Sequence, residues 1–227
     1  MICQVVDVKK SYFNNQSDLQ RAVLKGVSFS LEPGSTMSIV GPSGSGKSTL
    51  LNIIGTLDLP TSGKVLIDGQ DIALYSDNQL ATIRNQQIGF VYQSHHLLPQ
   101  LNLLENVLLP TLPVRDKSKR KMALERAMFL LDSVGLADKI HQLPGQLSGG
   151  ECQRTAVIRA MINRPKLILA DEPTGSLDEG SAGRIGELLL RLNQQEQVAL
   201  MVVTHSVKLA DVIGNVHYLE GGKLSLK

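Results

Sequence analysis

The sequence predicts an α/β fold in which a mostly parallel sheet is covered by helices and interrupted by a helical insertion. Residues 167–170 (LILA) and 199–203 (ALMVV) are apolar at every position and are separated by a helical stretch, which is typical of strands buried on both faces. A leucine-rich stretch with helical character begins near residue 93. The chain has 227 residues, of which 42% are hydrophobic, so it is long enough for one large domain or a core with an inserted subdomain.

The elements before residue 93 are predicted to be short strands that pair antiparallel at the N-terminus and surround one helix. Turn residues and apolar alternation predict strands at 27–31, 36–40, 64–67 and 88–92. Apolar residues at helical spacing predict a helix at 48–57, directly after a glycine-rich segment.

Two further helices are predicted within or beside the insertion. They span 119–134, where Gly135 ends the first, and 153–163, where Pro165 ends the second. The predicted division is a core made of about residues 1–92 and 159–227, and a helical subdomain made of about residues 93–158.

The composition excludes several classes of function. A net charge of +2 gives no argument for binding nucleic acid, and aromatic residues are only 4% with no tryptophan, which argues against a base-stacking surface. The apolar runs are far shorter than the roughly 18 residues of a membrane-spanning helix, and the first residues lack the apolar run of a secretory signal. The two cysteines, Cys3 and Cys152, form no metal pattern, which favours a reducing compartment.

The segment GPSGSGKS at 41–48 fits the phosphate-loop pattern G-x-x-x-x-G-K-[ST] and lies between a predicted strand and a predicted helix. Glycines in such a loop let consecutive N–H groups turn towards an anion, and the helix N-terminus adds favourable partial charge. We expect Lys47 to reach the β- and γ-phosphates and Ser48 to ligate Mg²⁺. The predicted nucleotide-binding residues of this segment are Gly41, Pro42, Ser43, Gly44, Ser45, Gly46, Lys47, Ser48 and Thr49.

Two carboxylates follow the strand in LILADE. We expect Asp171 to hold Mg²⁺ and Glu172 to polarise the attacking water as a general base. His205 follows another strand, where a histidine is usually structural, but beside a phosphate it can donate a hydrogen bond. Gln93, at the exit of the strand IGFVY, is expected to sense the metal and the water.

In order along nearly the whole chain, these motifs resemble those of the ATP-binding-cassette (ABC) ATPases, which have a P-loop (RecA-like) core. Tyr12 resembles the aromatic residue that stacks on adenine, and Gln93 the glutamine of the Q-loop. LSGGE at 147–151 resembles the family signature, SLD at 176–178 the D-loop, and His205 the switch histidine. Other P-loop enzymes lack LSGGE, so the signature is the discriminating motif.

The resemblance implies that two copies dock head to tail, each signature facing the ATP that its partner holds. Ser148, Gly149 and Gly150 would then approach a γ-phosphate in trans, with Asp178 also at the nucleotide. Cys152 and Ser206 depart from the usual pattern and leave the turnover rate open. We also expect the Cys152 thiol, in the first turn of the signature helix, to favour the thiolate and to react with maleimide.

Within the family, segments 82–93 and 94–110 are most similar to cassettes of the lipoprotein-releasing and macrolide-exporter type. The resemblance implies integral membrane partner subunits like LolC, LolE or MacB, a homodimer of ATPase subunits, a peripheral location at the cytoplasmic face of the inner membrane, and no nucleic-acid partner. Cassettes of cell-division or antimicrobial-peptide-resistance complexes remain alternatives, as does a soluble cassette acting on ribosomes or DNA. LSGGE and the absence of N-K-x-D argue against a P-loop kinase or a switch GTPase.

Overall fold

The computed structural model describes residues 1–13 and 20–226. In chain order its strands are β1 (Cys3–Phe13), β2 (Gln20–Leu31), β3 (Thr36–Val40), β4 (Ser62–Ile67), β5 (Gln70–Asp71), β6 (Ile88–Tyr92), β7 (Leu167–Asp171), β8 (Ala199–Thr204), β9 (Val216–Glu220) and β10 (Lys223–Leu226). Its helices are α1 (Lys47–Ile54), α2 (Asp77–Gln87), α3 (Leu103–Leu108), α4 (Lys117–Ser133), α5 (Gly149–Met161), α6 (Glu179–Glu196) and α7 (Val207–Ile213).

The strands form two sheets, and both agree with the predicted class. A four-stranded sheet in the order β2-β1-β4-β5 is antiparallel throughout. A six-stranded sheet has the order β10-β9-β3-β8-β7-β6, in which only the β10–β9 pair is antiparallel. The predicted antiparallel N-terminal strands and the predicted mostly parallel core are therefore confirmed.

The parallel sheet is covered on both faces by different hydrophobic clusters. Along β8, Met201 and Val203 pack with α1 and the antiparallel sheet, whereas Leu200 and Val202 pack with helices α3 to α6. All four side chains are fully buried. This arrangement explains why the strand is apolar at consecutive positions instead of alternating.

Helices α3, α4 and α5 lie between β6 and β7, which are neighbours in the parallel sheet. The predicted helical insertion thus falls between two adjacent strands. The predicted boundary at 158 and 159 lies inside α5, so the division into core and subdomain stays a prediction.

Several element bounds differ from the predicted ones for local reasons. Helix α4 begins two residues earlier than predicted because the Asp116 carboxylate accepts from the N–H groups of Ser118 and Lys119. Residues 93–102 contain no helix, although they are leucine-rich. The buried side chain of Asn106 instead holds this segment by accepting from Leu98 N at 2.8 Å and donating to Leu101 O at 2.9 Å.

Candidate active site

The loop between β3 and α1 is shaped to present backbone N–H groups. Gly46 is the N-cap of α1 and has φ 105°, a conformation that residues with a side chain rarely adopt. A Cβ at this position would lie 2.9 Å from Leu24 Cδ2, so packing excludes a side chain as well. Because the first N–H groups of a helix have no partners within it, this end of α1 can hold a phosphate.

The Lys47 side chain folds back over the loop. Its Nζ donates to the carbonyl oxygens of Gly41 at 2.8 Å and Pro42 at 3.1 Å. The residue is only 9% exposed, so its charge is kept inside the curve of the loop instead of in bulk solvent. A phosphate in the loop would meet this ammonium group directly.

A groove of about 250 Å³ runs beside the loop. One of its lining residues, Arg21, carries a positive charge that the sequence analysis missed. The groove is lined by Gly44, Gly46, Lys47, Ser48 and Thr49 and, from β2, by Arg21 and Val23. Arg21 is exposed and outside every motif, so only the pairing of β2 within the fold could have identified it.

The predicted magnesium ligands Ser48 and Asp171 are neighbours. Asp171 ends β7, and the Ser48 side chain lies close enough to influence its carboxylate. Burial raises the pKa of the Asp171 carboxyl, and the adjacent Glu172 charge adds to the rise, against the opposing effects of Ser48 and Lys47. A hydroxyl and a carboxylate beside a phosphate loop are the oxygen donors that Mg²⁺ uses together with nucleotide phosphates. The residues present therefore fit this ion.

The Glu172 carboxylate is held by three donors. Oε2 accepts from Thr204 Oγ1 at 2.8 Å and from the backbone N–H of His205 at 3.1 Å, and Oε1 contacts His205 Nδ1 at 2.9 Å. The Glu172 backbone has φ 46° and donates to Val203 O at 2.9 Å. The predicted base and switch histidine thus lie together. The sequence analysis assigned no role to Thr204, which is buried at the end of β8.

Gln93 follows β6 and lies against the loop after Glu172. A Cβ on Gly175 would come within 2.8 Å of Gln93 Nε2, and Ser176 Oγ donates to the Gln93 carbonyl at 3.0 Å. Tyr92, which precedes Gln93, is bound to the signature helix α5, because Gln153 Nε2 donates to Tyr92 O at 2.8 Å. The Q-loop, the D-loop and α5 are therefore in direct contact.

Tyr12 lies beside α1, and the residue is 43% exposed. Its hydroxyl donates to Asp58 Oδ2 at 2.8 Å and lies near the Thr49 side chain, and Lys10 Nζ lies 4.9 Å from the ring centroid. Burial and the Asp58 hydrogen bond raise the pKa of the Tyr12 hydroxyl. The structure thus brings Tyr12 next to the end of the phosphate loop with the residue partly exposed.

The signature residues form a well-capped helix start. Ser148 is the N-cap of α5, and its backbone N–H donates to Glu151 Oε2 at 2.8 Å while its hydroxyl accepts from Glu151 N at 3.3 Å. The Lys139 ammonium also donates to Glu151. The hydrogen bond from Lys139, followed by the one from Ser148 N, lowers the pKa of the Glu151 carboxyl to about 2.

The described residues give no steric reason for a glycine at 149. Among them, a Cβ at this position would meet Leu177 Cδ2 alone, at an ordinary distance of 3.6 Å. At Gly150 a Cβ would lie 3.3 Å from Ser181 Oγ, which is tighter. Asp178 is the exposed N-cap of α6 and accepts from Ser181 N at 2.9 Å, so the D-loop and the signature are adjacent.

The signature opens into a different cavity from that of the phosphate loop. This cavity, of about 850 Å³, includes Ser148, Gly150, Arg154 and Arg184 among its lining residues. No residue that lines it also lines the groove beside the phosphate loop.

The expectation of a reactive thiolate at Cys152 is wrong. The residue is 3% exposed, packs with Leu97 and Ala156, and its thiol donates to Pro144 O at 3.5 Å. Burial and the neighbouring Glu151 charge raise the pKa of the Cys152 thiol. Burial of the sulfur therefore affects the pKa of the Cys152 thiol more than the dipole of the signature helix does.

Comparison with known proteins identifies the family. The profile of the ABC transporter family matches residues 24–175. A lipoprotein-releasing system ATP-binding protein, LolD, of Bdellovibrio bacteriovorus is 43% identical over 97% of this chain and 98% of its own length. The LolD protein of Shewanella frigidimarina is 50% identical over 92% of this chain and 86% of its own length.

A solved ATP-binding cassette, a dimer in a post-hydrolysis state bound to ADP and Pi, superimposes with a TM-score of 0.86. It is 38% identical, and the match covers 99% of this chain and 98% of the other. No helix in the described ranges has the length and apolarity to cross a membrane. The protein is thus an ATP-binding cassette ATPase and belongs to the ABC transporter family.

Proposed function

We propose that this chain is the ATP-hydrolysing subunit of a transporter of the lipoprotein-releasing type. It works as a homodimer at the cytoplasmic face of the inner membrane, beneath integral membrane subunits that resemble LolC, LolE or MacB. The support is the identity of 43% and 50%, over nearly the whole chain, to ATP-binding proteins of lipoprotein-releasing systems. No nucleic acid takes part.

Nucleotide binding is assigned to the phosphate loop and its neighbours. The phosphate loop at residues 41–49 surrounds the phosphates with the backbone N–H groups of its residues other than Pro42, Lys47 neutralises their charge, and Tyr12 stacks on the adenine ring. Ser48, Asp171 and Gln93 would hold Mg²⁺, which when bound would neutralise the charge that develops on the phosphates. The proximity of Ser48 and Asp171 supports this assignment, because both side chains lie beside the loop.

Glu172 is assigned as the general base, and the observation that carries the proposed chemistry is its position. It follows Asp171 directly, and its carboxylate is fixed by Thr204 and His205. The carboxylate accepts the proton of the attacking water, and the His205 ring donates to the γ-phosphate. Gln93 contacts the loop that follows Glu172 and orients the attacking water.

The signature acts on the nucleotide of the partner copy. Ser148, Gly149 and Gly150 offer a hydroxyl, N–H groups and a helix N-terminus to the γ-phosphate, and Asp178 lies beside them. Two observations support this role. Gly149 has room for a side chain within its own chain, and the signature and the phosphate loop line separate cavities. On this proposal, a second copy completes the site.

The membrane assignment is tested by co-expression. The chain, carrying a tag, is produced with candidate LolC- and LolE-like subunits, solubilised in detergent and purified. We expect a stable complex whose ATP hydrolysis is lost in Lys47→Ala. If the chain instead purifies with the membrane subunits of a cell-division or peptide-resistance complex, and not with LolC- and LolE-like subunits, it belongs to that type of complex. Recovery with ribosomes or DNA instead would overturn the transport role.

A further inference from the structure

The Thr204 hydroxyl makes two hydrogen bonds whose directions are fixed by chemistry. Thr204 ends β8 and is 1% exposed. Its Oγ1 lies 3.0 Å from the backbone N of Ser206 and 2.8 Å from Glu172 Oε2. The amide N–H can only donate and an ionised carboxylate can only accept. The single hydroxyl proton must therefore point at Glu172.

The two oxygens of Glu172 have unlike surroundings. Oε2 accepts from buried Thr204 and from a backbone N–H, neither of which can move far from the end of the strand. Among the described residues, the polar contact of Oε1 is with the His205 ring alone, and the His205 side chain is 70% exposed. An exposed ring can turn towards another partner, so Oε1 is the oxygen that a water molecule can reach.

On the basis of the proposed role of Glu172 as the base, we propose that Thr204 is a positioning residue for hydrolysis. Its hydroxyl anchors Oε2, so that the carboxylate keeps Oε1 directed at the position of the attacking water. Without this anchor, Oε2 keeps one backbone donor and the carboxylate can rotate about its terminal bond. The carboxylate then spends less time in an orientation from which it can accept a proton from water. The groups that bind the phosphates are unchanged.

A structural role for Thr204 must be separated from this one. Its Oγ1 also accepts from Ser206, whose own hydroxyl accepts from Leu209 N at 3.2 Å and caps α7. Loss of the Thr204 hydroxyl could therefore act by loosening the start of α7. Ser206→Ala removes that cap and leaves the Thr204–Glu172 hydrogen bond in place, which makes it the matched control.

The test compares the isosteric Thr204→Val with Thr204→Ser. In Thr204→Val we expect kcat for ATP hydrolysis to fall roughly 10- to 100-fold, the scale of one hydrogen bond to a charged group. The dissociation constant for ATP should stay within about twofold, because no phosphate contact is lost. Thr204→Ser, which keeps the hydroxyl, and Ser206→Ala should both keep kcat within about threefold. Wild-type kcat in Thr204→Val, or an equal loss in Ser206→Ala, would overturn the proposal.

A double-variant cycle separates this proposal from the function on which it rests. In a Glu172→Gln background, Thr204→Val should lower kcat further by less than about threefold, because the carboxylate that Thr204 anchors is already gone. A further loss as large as in the wild-type background would show that Thr204 acts through another group. If Glu172→Gln alone keeps wild-type turnover, the proposed base is wrong. If Glu172→Gln is impaired while Thr204→Val is not, only the role of Thr204 is wrong.

Thermal unfolding checks that each variant is folded. Should Thr204→Val not fold, Thr204→Ala removes the same hydroxyl without placing a second methyl against Ser206 N, and the same outcomes apply to it.

Discussion

His205 Nδ1 lies 2.9 Å from Glu172 Oε1, so the proposed γ-phosphate sensor and the proposed base are in direct contact. A carboxylate only accepts, so Nδ1 must carry the proton in this contact. The opposite nitrogen, Nε2, can donate to a phosphate at the same time only if the ring is doubly protonated. A neutral ring must choose between the two partners. If a neutral His205 ring makes the proposed contact with the γ-phosphate through Nδ1, it must release Glu172.

Gly149→Asp tests the trans role of the signature. The added carboxylate would face the γ-phosphate held by the partner, and like charges repel strongly in a site that excludes water. We expect ATP binding by the monomer to stay nearly unchanged and ATP-driven dimerisation to be lost. Light scattering with Mg-ATP measures the second effect, best in a hydrolysis-deficient Glu172→Gln background.

The matched control is Gly145→Asp, which adds the same charge four residues away, where a Cβ meets nothing within 4 Å. It should dimerise normally. If Gly149→Asp also dimerises with ATP, the signature does not face the partner's nucleotide.

Glu151 makes the stability of the signature helix depend on pH. Its pKa is lowered to about 2 by the hydrogen bonds from Lys139 and Ser148 N, against an ordinary value of 4.5. A carboxyl with a lowered folded-state pKa stabilises the fold above its unfolded-state pKa, and this contribution is lost as pH falls through the folded-state value. The advantage of the wild type over Glu151→Gln should therefore be constant above about pH 4.5 and disappear towards pH 2.

Unfolding midpoints of both proteins between pH 2 and 6 measure this difference. In a Lys139→Met background, the pH range over which the difference between the two proteins disappears should be narrower. The reason is that the hydrogen bond from Lys139 is the largest cause of the lowered Glu151 pKa. A difference between wild type and Glu151→Gln that does not change with pH would contradict the assignment.

The buried thiols give a prediction opposite to the sequence-based one. Cys3 is fully buried, and burial raises the pKa of its thiol to about 12. Cys152 is almost as buried and its pKa is also raised. We expect maleimide to label both slowly in the native protein, with or without ATP, and quickly after unfolding in denaturant. Mass spectrometry of labelled peptides checks this, and rapid native labelling of Cys152 would show that its helix opens.

The sequence predicted those parts of the molecule that local pattern determines. The predicted strands 36–40 and 88–92 have the same bounds as β3 and β6, and both are short segments rich in apolar residues. Strand β1 was missed because a bulge between Val5 and Val8 breaks its alternation, and Asp7 has φ 45°. A period-2 search cannot follow a strand whose register shifts.

The site shows the same division between local and tertiary information. The phosphate loop and the carboxylates after β7 lie in contiguous motifs, so their residues could be named in advance. Thr204 and Arg21 could not, because each gains its role only from a partner far along the chain. The error at Cys152 has this origin too, since Leu97, which packs in the same hydrophobic cluster, lies in a loop far along the chain.

Glu172→Gln separates nucleotide binding from chemistry. Glutamine is nearly isosteric with glutamate, and its amide can still accept from Thr204, so the geometry around β8 should persist. The residue is not among the groups assigned to the phosphates, such as Lys47 and Ser48. What is lost is the carboxylate that accepts a proton from water, and general-base contributions are typically about 10²- to 10⁴-fold. Hydrolysis should fall on that scale while ATP affinity remains similar.

The unhydrolysed nucleotide should then hold two copies of Glu172→Gln together. If ATP bridges the phosphate loop of one copy and the signature of the other, each bound ATP adds contacts across the interface and no hydrolysis removes them. We expect an ATP-dependent dimer in size-exclusion chromatography, where the wild type is monomeric or only transiently dimeric. Lys47→Ala added to the same chain should abolish that dimer, because no nucleotide is held. A Glu172→Gln variant that stays monomeric with Mg-ATP and keeps near-normal turnover would show that Glu172 is not the base.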